Sequence, residues 1–322
     1  MSATDEAASR DSGRPAYTEH VVARLRELAS GLPEPLGPVV RDLAGRPGKC
    51  LRSSLLAACA GASPAVPSRL VRLGALVELL HMASLLHDDV VDRAPLRRGG
   101  PAAHTVVGAE TAMLAGLACF SLAGTESAQL GPGVAAATGR TVAGLAYGEL
   151  LDVERAFDTA LGLDDYVELV ERKTGELFRL ACLLGAAEAA LEPEEGAVLG
   201  RFGLGFGVAF QILDDCLDLS TGEVDKAIGT DHVLGLFGAP TLLALRADVT
   251  GELGALLLAP DFGRDDVPKA RSLIISLGGL DQAEDLARER YARATAELAQ
   301  LADDALRSHV ACAADAAWGG FR

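Results

Sequence analysis

An all-α fold is predicted by three features of this 322-residue sequence. Segments of Ala, Leu, Glu and Arg whose apolar residues recur at helical spacing run from Val21 to Ala311. Aromatic residues are only 4% of the chain, and the alternating Val, Ile, Thr and Tyr runs that mark strands are hard to find. Hydrophobic residues are 49% and charged residues 23%, which is apolar enough for a large core and excludes a disordered chain.

The elements follow from where the helical pattern is interrupted. Met1 to Pro15 is polar and mixed in charge, so residues 1–16 are expected to be disordered and residues 17–322 to form the folded domain. Breaks then fall at GLPEPLGP (Gly31 to Pro38), GASPAVPS (Gly61 to Ser68), RAPLRRGGP (Arg93 to Pro101), LGPG (Leu130 to Gly133), LEPEEG (Leu191 to Gly196) and the Gly-rich stretch from Gly222 to Gly238. They are spread along the chain with no long linker, so one domain of many helices is expected rather than two. The longest apolar stretch, LVRLGALVELLHMASLL from Leu70 to Leu86, is interrupted by Arg72, Glu78 and His81 and reads as a buried core helix, short of a good membrane span.

The formal net charge of −16 creates a long-range field that repels nucleic acid and anionic membranes, so an anionic substrate would need local help. No secretory signal pattern opens the chain. The six cysteines, at 50, 59, 119, 182, 216 and 312, lack paired metal-type spacing, and several sit in apolar helical context as small hydrophobes. A cytoplasmic protein without a transmembrane segment or a nucleic-acid partner is therefore expected.

One motif occurs twice. LLHDDVVDRAPLRRGG (Leu85 to Gly100) contains Asp88, Asp89 and Asp92, and FQILDDCLD repeats the D-D-x-x-D spacing with Asp214, Asp215 and Asp218. On a helix the first and last aspartates of each set are neighbours at i and i+4, where uncompensated carboxylates repel. A solvated acidic face is the plain alternative, but at average composition the motif arises by chance only about 0.07 times in a chain of this length, so two copies are improbable. Both copies end apolar stretches, which suits a bound cation better than solvation. Carboxylates without Cys or His at fixed spacing favour a hard cation, and Mg²⁺ bridges such groups to phosphate oxygens.

Basic residues complete the pattern. Arg97 and Arg98 follow the first motif by one loop, GKCLRSSLLAACAG places Lys49 and Arg52 at i and i+3, and ERKTGELFRLACLLGA carries Lys173 and Thr174. Guanidinium forks match phosphate oxygens. With HDDVVDRAPLRRGGPAAHTVVG, FQILDDCLDL and DKAIGTDHVLGLFGAPTLLAL, these segments resemble, in order and approximate spacing, the trans-isoprenyl diphosphate synthases, or polyprenyl synthetase family, from about Gly48 to Leu245. The resemblance implies a single-domain helical bundle around a deep central cavity, working as a homodimer on isopentenyl diphosphate and an allylic diphosphate. It implies that Asp88 and Asp92 hold two Mg²⁺ ions, and that Asp214, Asp218 and Asp231 serve a third. By the same resemblance Arg97, Lys173, Gln211 and Lys226 match residues that grip the allylic diphosphate, while Lys49, Arg52, His81 and Arg98 match the isopentenyl diphosphate pocket. The Thr174 carbonyl and the Gln211 side chain match dipoles that face the allylic cation. His87 is read either as orienting Asp88 or as packing.

Several positions depart from the family pattern. Cys50 and Ser53 stand where GKRLRP has Arg and Pro, Leu117 where AGD has Asp, and Leu236 where a lysine is usual. These departures keep two other readings open, a regulatory subunit that pairs with an active homologue and a class I terpene cyclase, although Lys49, Arg52, His81 and Arg98 argue against the cyclase. Ala83 and Ser84, one turn before Asp88, are small where short-chain members carry aromatics, so a product of four isoprene units or more is expected.

Overall fold

The computed structural model describes residues 13–61, 66–220 and 230–320. Helix α1 (Gly13–Ser30) begins inside the segment expected to be disordered, since proline in the first turn gives up no helical hydrogen bond. Helices α2 (Leu36–Gly45), α3 (Leu51–Cys59) and α4 (Ser68–Val91) follow, each bounded by one of the expected breaks. The RRGG loop is a small antiparallel hairpin of β1 (Leu96–Arg97) and β2 (Gly100–Pro101), the only strand pair among the described residues. Its two-residue turn, Arg98 and Gly99, has φ of 52° and 69°, as a type I′ hairpin turn requires.

Beyond the hairpin come α5 (Ala103–Val107), α6 (Ala109–Leu130), α7 (Pro132–Glu154) and α8 (Leu163–Val170). A π-helical turn at Glu171–Gly175 leads into α9 (Glu176–Glu188), and α10 (Pro193–Ser220) is the longest element. The chain finishes with α11 (Thr230–Val233), α12 (Ala239–Ala247), α13 (Glu252–Leu257), α14 (Val267–Ser276), α15 (Gly279–Glu297) and α16 (Asp304–Gly319).

Helix α4 lies at the centre of the first half because it is apolar on nearly every face: Leu73, Leu76, Leu79, Leu80, Met82 and Leu86 are all buried, and α1, α3 and α6 pack around it. Helix α10 plays the same part in the second half, against α9 and α15. Gly207 lets α10 approach the π-helical turn closely, for a Cβ there would stand 2.7 Å from the Gly175 Cα. Both central helices are long and apolar enough to cross a membrane, which the interruptions at Arg72, Glu78 and His81 did not suggest for α4; 67% and 56% of their apolar windows are buried inside the protein. Within this fold they are core helices.

A buried carboxylate ties the first half together. Glu126 on α6 is 2% exposed and accepts hydrogen bonds from Arg24 of α1 at 3.0 Å and from Arg72 of α4 at 2.7 Å. Burial works against its ionisation, but the two guanidinium groups outweigh burial and hold its carboxyl below the ordinary value. A carboxyl lowered on folding stabilises the protein above its unfolded pKa, and that stability is lost as pH falls through the folded value. Glu126→Gln should therefore cost about 2 kcal/mol at pH 7 and show a shallower loss of stability between pH 5 and 3 than the parent, as read by denaturant unfolding across that range.

Candidate active site

The two aspartate motifs occupy the C-terminal turns of the two central helices, Asp88, Asp89 and Asp92 closing α4 and Asp214, Asp215 and Asp218 closing α10. The middle aspartates turn inward. Asp89 is 2% exposed and accepts from Arg97 Nε at 2.7 Å and Nη2 at 2.5 Å, so the arginine assigned to the allylic diphosphate is anchored on the first motif itself. Asp215 accepts from Tyr166 Oη at 2.6 Å, Gln211 Nε2 at 3.0 Å and the Ala239 backbone N–H at 3.1 Å. Burial pushes the Asp215 carboxyl up to about 7 against the pull of these three donors.

The outer aspartates of the first motif face more negative charge. Burial pushes Asp88 up to about 7, with Glu149 and Asp92 adding to the rise and Lys173 and Arg97 opposing it. Asp92 is likewise pushed up to about 7 by burial, relieved by Lys173 and raised further by Asp231, Glu149 and Asp152. Lys173 projects from the π-helical turn into this cluster, pairing with Asp152 and, at 3.1 Å, with Glu149, both on α7. Burial opposes its ammonium, yet Asp152, Asp88, Glu149 and Asp92 together hold it well above its ordinary value. A π-helical turn inserts one residue into the helical register, a device common at functional sites. Here it accompanies the exit of Lys173 toward α7 while Thr174, from the same turn, donates to Gln211 Oε1 at 2.8 Å.

An opposite, basic pole lies alongside. Arg52 on α3 is partly buried, and its guanidinium sits 4.6 Å from the centre of the Phe178 ring. Burial and Arg98 push Arg52 down to about 10, while Glu78, Asp214 and Asp88 resist; Arg52 thus feels the first aspartate of both motifs. His81, seven residues and nearly two helical turns before Asp88, is held well below its ordinary value by burial and by Arg52, Arg98 and Arg97, so it is neutral. Arg52 Nε and His81 Nδ1 are buried and have no hydrogen-bond partner among the described residues. Arg98 donates to the Arg46 carbonyl at 3.1 Å, and Arg46 in return donates to the Arg97 carbonyl, pinning the hairpin to the end of α2.

Other assigned residues stand differently. Lys49 donates to the Gly320 carbonyl at 3.0 Å, a contact with the chain's C-terminal end that the sequence did not suggest. Asp231 opens α11 and is exposed, with Leu236 donating its backbone N–H to the Asp231 carbonyl at 2.8 Å. Lys226 lies outside the described residues. Ala83 has no accessible surface; its carbonyl accepts from His87 Nδ1 at 2.8 Å and lies 3.2 Å from where a Cβ on Gly116 would stand. It therefore packs against α6 and does not line an open channel, whereas Ser84 keeps partial exposure. The surface hollows beside Arg246 and beside Leu243 lie away from both motifs, and neither is the deep central cavity that the resemblance implied. His87 takes the packing role, with its ring 5.8 Å from that of Phe120.

The departures acquire physical meanings. Cys50 adopts φ of 48° ahead of α3, and Ser53 donates its backbone N–H at 3.1 Å and its hydroxyl at 2.9 Å to the buried Glu78. Leu117 is 56% exposed on α6 beside exposed Met113 and Leu114, so it extends an apolar surface stripe and takes no carboxylate from the charged cluster. Sequence reasoning missed Arg46, Phe178, Glu149, Asp152 and Tyr166. Only Glu149 and Asp152, at i and i+3 on a helix, carried a local signal.

Comparison with known proteins agrees with this geometry. The sequence profile of the polyprenyl synthetase family matches residues 33–274, further in both directions than the motifs reach. The chain belongs to the polyprenyl synthetase family. It is 33% identical over 259 residues to decaprenyl-diphosphate synthase subunit 1 of Schizosaccharomyces pombe, covering 78% of this chain and 68% of that one. Nonaprenyl diphosphate synthase of Mycobacterium tuberculosis is 35% identical over 234 residues, covering 71% and 70%. Among solved structures, polyprenyl synthase from Caulobacter crescentus, complexed with calcium and isoprenyl diphosphate, superimposes with a TM-score of 0.83 at 31% identity over 95% of this chain and 94% of that one. A decaprenyl diphosphate synthase from Rhodobacter capsulatus gives 0.86 at 28% identity over 97% and 98%. The polyprenyl synthetase family consists of metal-dependent prenyltransferases, and this chain is a prenyltransferase of the same all-α fold.

The Ser53 contacts set a test of the N-terminal turn of α3. Ser53→Pro fits the backbone of a first helical turn but removes both donors from buried Glu78. A loss of about 1–3 kcal/mol in denaturant unfolding is expected, even though proline is the usual family residue there.

Proposed function

We propose that this chain condenses isopentenyl diphosphate with an allylic diphosphate to give a longer all-trans polyprenyl diphosphate and free diphosphate. The observation that carries this reading is the pairing of two incomplete poles. On the acidic side Asp92 Oδ1 and Glu149 Oε1 are enclosed oxygens without partners among the described residues, and on the basic side Arg52 Nε and His81 Nδ1 are enclosed nitrogens without partners. Buried polar atoms left unpaired are costly, so each pole suits a ligand of opposite character: cations on one side, a diphosphate on the other.

The acidic donor set suits Mg²⁺, with Asp88 and Asp92 on one side and Asp214, Asp218 and Asp231 on the other, about three ions by family resemblance. Among the described residues no three such side chains close on one point, so diphosphate oxygens and water would complete the shells. When bound, Mg²⁺ supplies positive charge that makes the allylic diphosphate a leaving group. Lys173 and Arg97 add fixed positive charge there, and Lys226 joins them by its place in the motif. Arg52, Arg98, neutral His81 and Lys49 hold isopentenyl diphosphate so that its double bond meets the allylic carbon as the old C–O bond breaks. Thr174 and Gln211 present oxygen dipoles to the allylic cation, and the released diphosphate takes the proton lost when the new double bond forms.

Asp88→Ala and Asp214→Ala should each lower turnover about a hundredfold or more, with circular dichroism unchanged, and chelation should abolish turnover in the parent. Near-normal turnover in either variant would reject the assignment. The basic pole disfavours a terpene cyclase, which binds no second diphosphate; a cyclised hydrocarbon from a single substrate would favour it. One relative is named subunit 1, and turnover that appears only when a second chain is added would favour the heteromeric reading.

The reading extends to a homodimer through the apolar stripe of Met113, Leu114 and Leu117 on α6 and Tyr147, Leu150 and Val153 on α7, all at least 43% exposed in the single chain. The free thiols, buried at Cys50, Cys59, Cys119, Cys182 and Cys216, support a cytoplasmic setting. Small residues before the first motif and relatives named for nine- and ten-unit products support a product of four isoprene units or more. Ser84 is the informative position, because it keeps partial exposure whereas Ala83 has none. Ser84→Phe should shorten the product, read by chromatography after dephosphorylation, and an unchanged distribution would place the floor elsewhere.

A further inference from the structure

The polar chain around Asp215 links three elements with the reaction's proposed dipoles. Tyr166 of α8 and the Ala239 backbone N–H, at the start of α12, both donate to Asp215 Oδ2, while Gln211, one turn earlier on α10, donates its Nε2 to Asp215 Oδ1. On the far side of the same amide, Gln211 Oε1 accepts from the Thr174 hydroxyl at 2.8 Å.

A side-chain amide has two orientations of nearly equal shape, distinguished only by which partners donate and which accept. Thr174 cannot choose between them, because a hydroxyl does either. An ionised carboxylate can, because it only accepts. With its other oxygen saturated by Tyr166 and Ala239, Asp215 selects the orientation in which the Gln211 nitrogen turns toward it and the oxygen turns toward Thr174.

We propose that Asp215 is a positioning residue for the prenyl transfer: by accepting from the Gln211 amide nitrogen it keeps the amide oxygen directed to the Thr174 side, where the allylic cation develops. This rests on the function proposed above. It also explains why the middle aspartate of the second motif is partly buried, with both of its oxygens accepting from donors within the protein. Asp215 makes its contribution through Gln211 and takes no part in holding metal.

Asp215→Asn discriminates. The Ala239 N–H cannot accept, so the new amide oxygen must stay on Ala239 and Tyr166, and the new amide nitrogen then confronts the Gln211 nitrogen. Gln211 is driven to rotate, presenting its N–H₂ to Thr174 and reversing the dipole at the cation. The kcat of Asp215→Asn should fall about tenfold or more while the isopentenyl diphosphate KM stays within about twofold. Calorimetric affinity for Mn²⁺ alone should also be unchanged. The kcat effect should vanish in a Gln211→Met background, as a double-mutant cycle through one contact requires. Adding Gln211→Glu to Asp215→Asn should restore much of kcat, since a carboxylate at 211 accepts from the new nitrogen and keeps an oxygen toward Thr174. Weaker Mn²⁺ binding in Asp215→Asn, or a kcat loss that persists in the Gln211→Met background, would overturn the proposal. Should Asp215→Asn fail to fold, Tyr166→Phe removes one of the donors that orient Asp215, and its smaller kcat loss should disappear in the same background. A parent without turnover on the two diphosphates would instead strike the proposed function and leave the Asp215 geometry unaddressed by that result alone, so the cycle is run only on active parent, where each outcome decides this proposal.

Discussion

Negative charge gathered at the C-terminal ends of two buried helices is the constraint on which the rest of the structure depends. Each helix already carries a partial negative charge at that end, and a carboxylate placed there is opposed by the macrodipole as well as by its neighbours. The protein places Asp88, Asp89 and Asp92 at one such end and Asp214, Asp215 and Asp218 at the other. The cost shows in the carboxyls of Asp88 and Asp92, raised by burial to about 7. Lys173 offsets part of it, and the π-helical turn accompanies the departure of that lysine toward α7. What remains uncompensated is the capacity to take up cations.

Within each motif the three aspartates divide their work by direction. Residues at i and i+4 share a face while the intervening one points elsewhere, so the middle aspartates fall against the protein. Asp89 meets Arg97 and Asp215 meets Tyr166, Gln211 and Ala239. Positive charge and oriented dipoles are thereby fixed beside the outer aspartates before any substrate arrives. Such preorganisation lowers the reorganisation needed as charge develops in the reaction.

The basic pole depends on longer-range packing. Arg52 rests on Phe178, residues from α3 and α9, and Arg98 is aimed by a hairpin turn that Arg46 of the α2 terminus holds in place. Electrostatic opposition between the poles is partly self-correcting: Arg98 makes Arg52 harder to keep charged, whereas Asp214 and Asp88 make it easier. A diphosphate bound between them would relieve the repulsion on one side without disturbing the attraction on the other.

Much of this protein was legible in the residues alone. Helical spacing is a local property, so the all-α class, the breaks at Gly31–Pro38, Gly61–Ser68 and Leu191–Gly196, and the burial of the Leu70–Leu86 stretch could be read directly. The repeated aspartates, the twin arginines and Lys173 were legible because their chemistry depends on spacing and residue type. The hairpin at Leu96–Pro101, the packing of Ala83 on Gly116 and the anchoring of Arg97 on Asp89 were not, since each depends on a register or rotamer chosen by neighbours. Arg46, Phe178 and Tyr166 were silent for the same reason: their partners lie 49 residues away for Tyr166 and Asp215, and 51 for Arg46 and Arg97. The amino-acid order by itself determined which charges the protein carries and on which helices. Only the tertiary structure decided which of them face a ligand and which are spent on one another, because that choice is made by contacts between segments far apart in the chain.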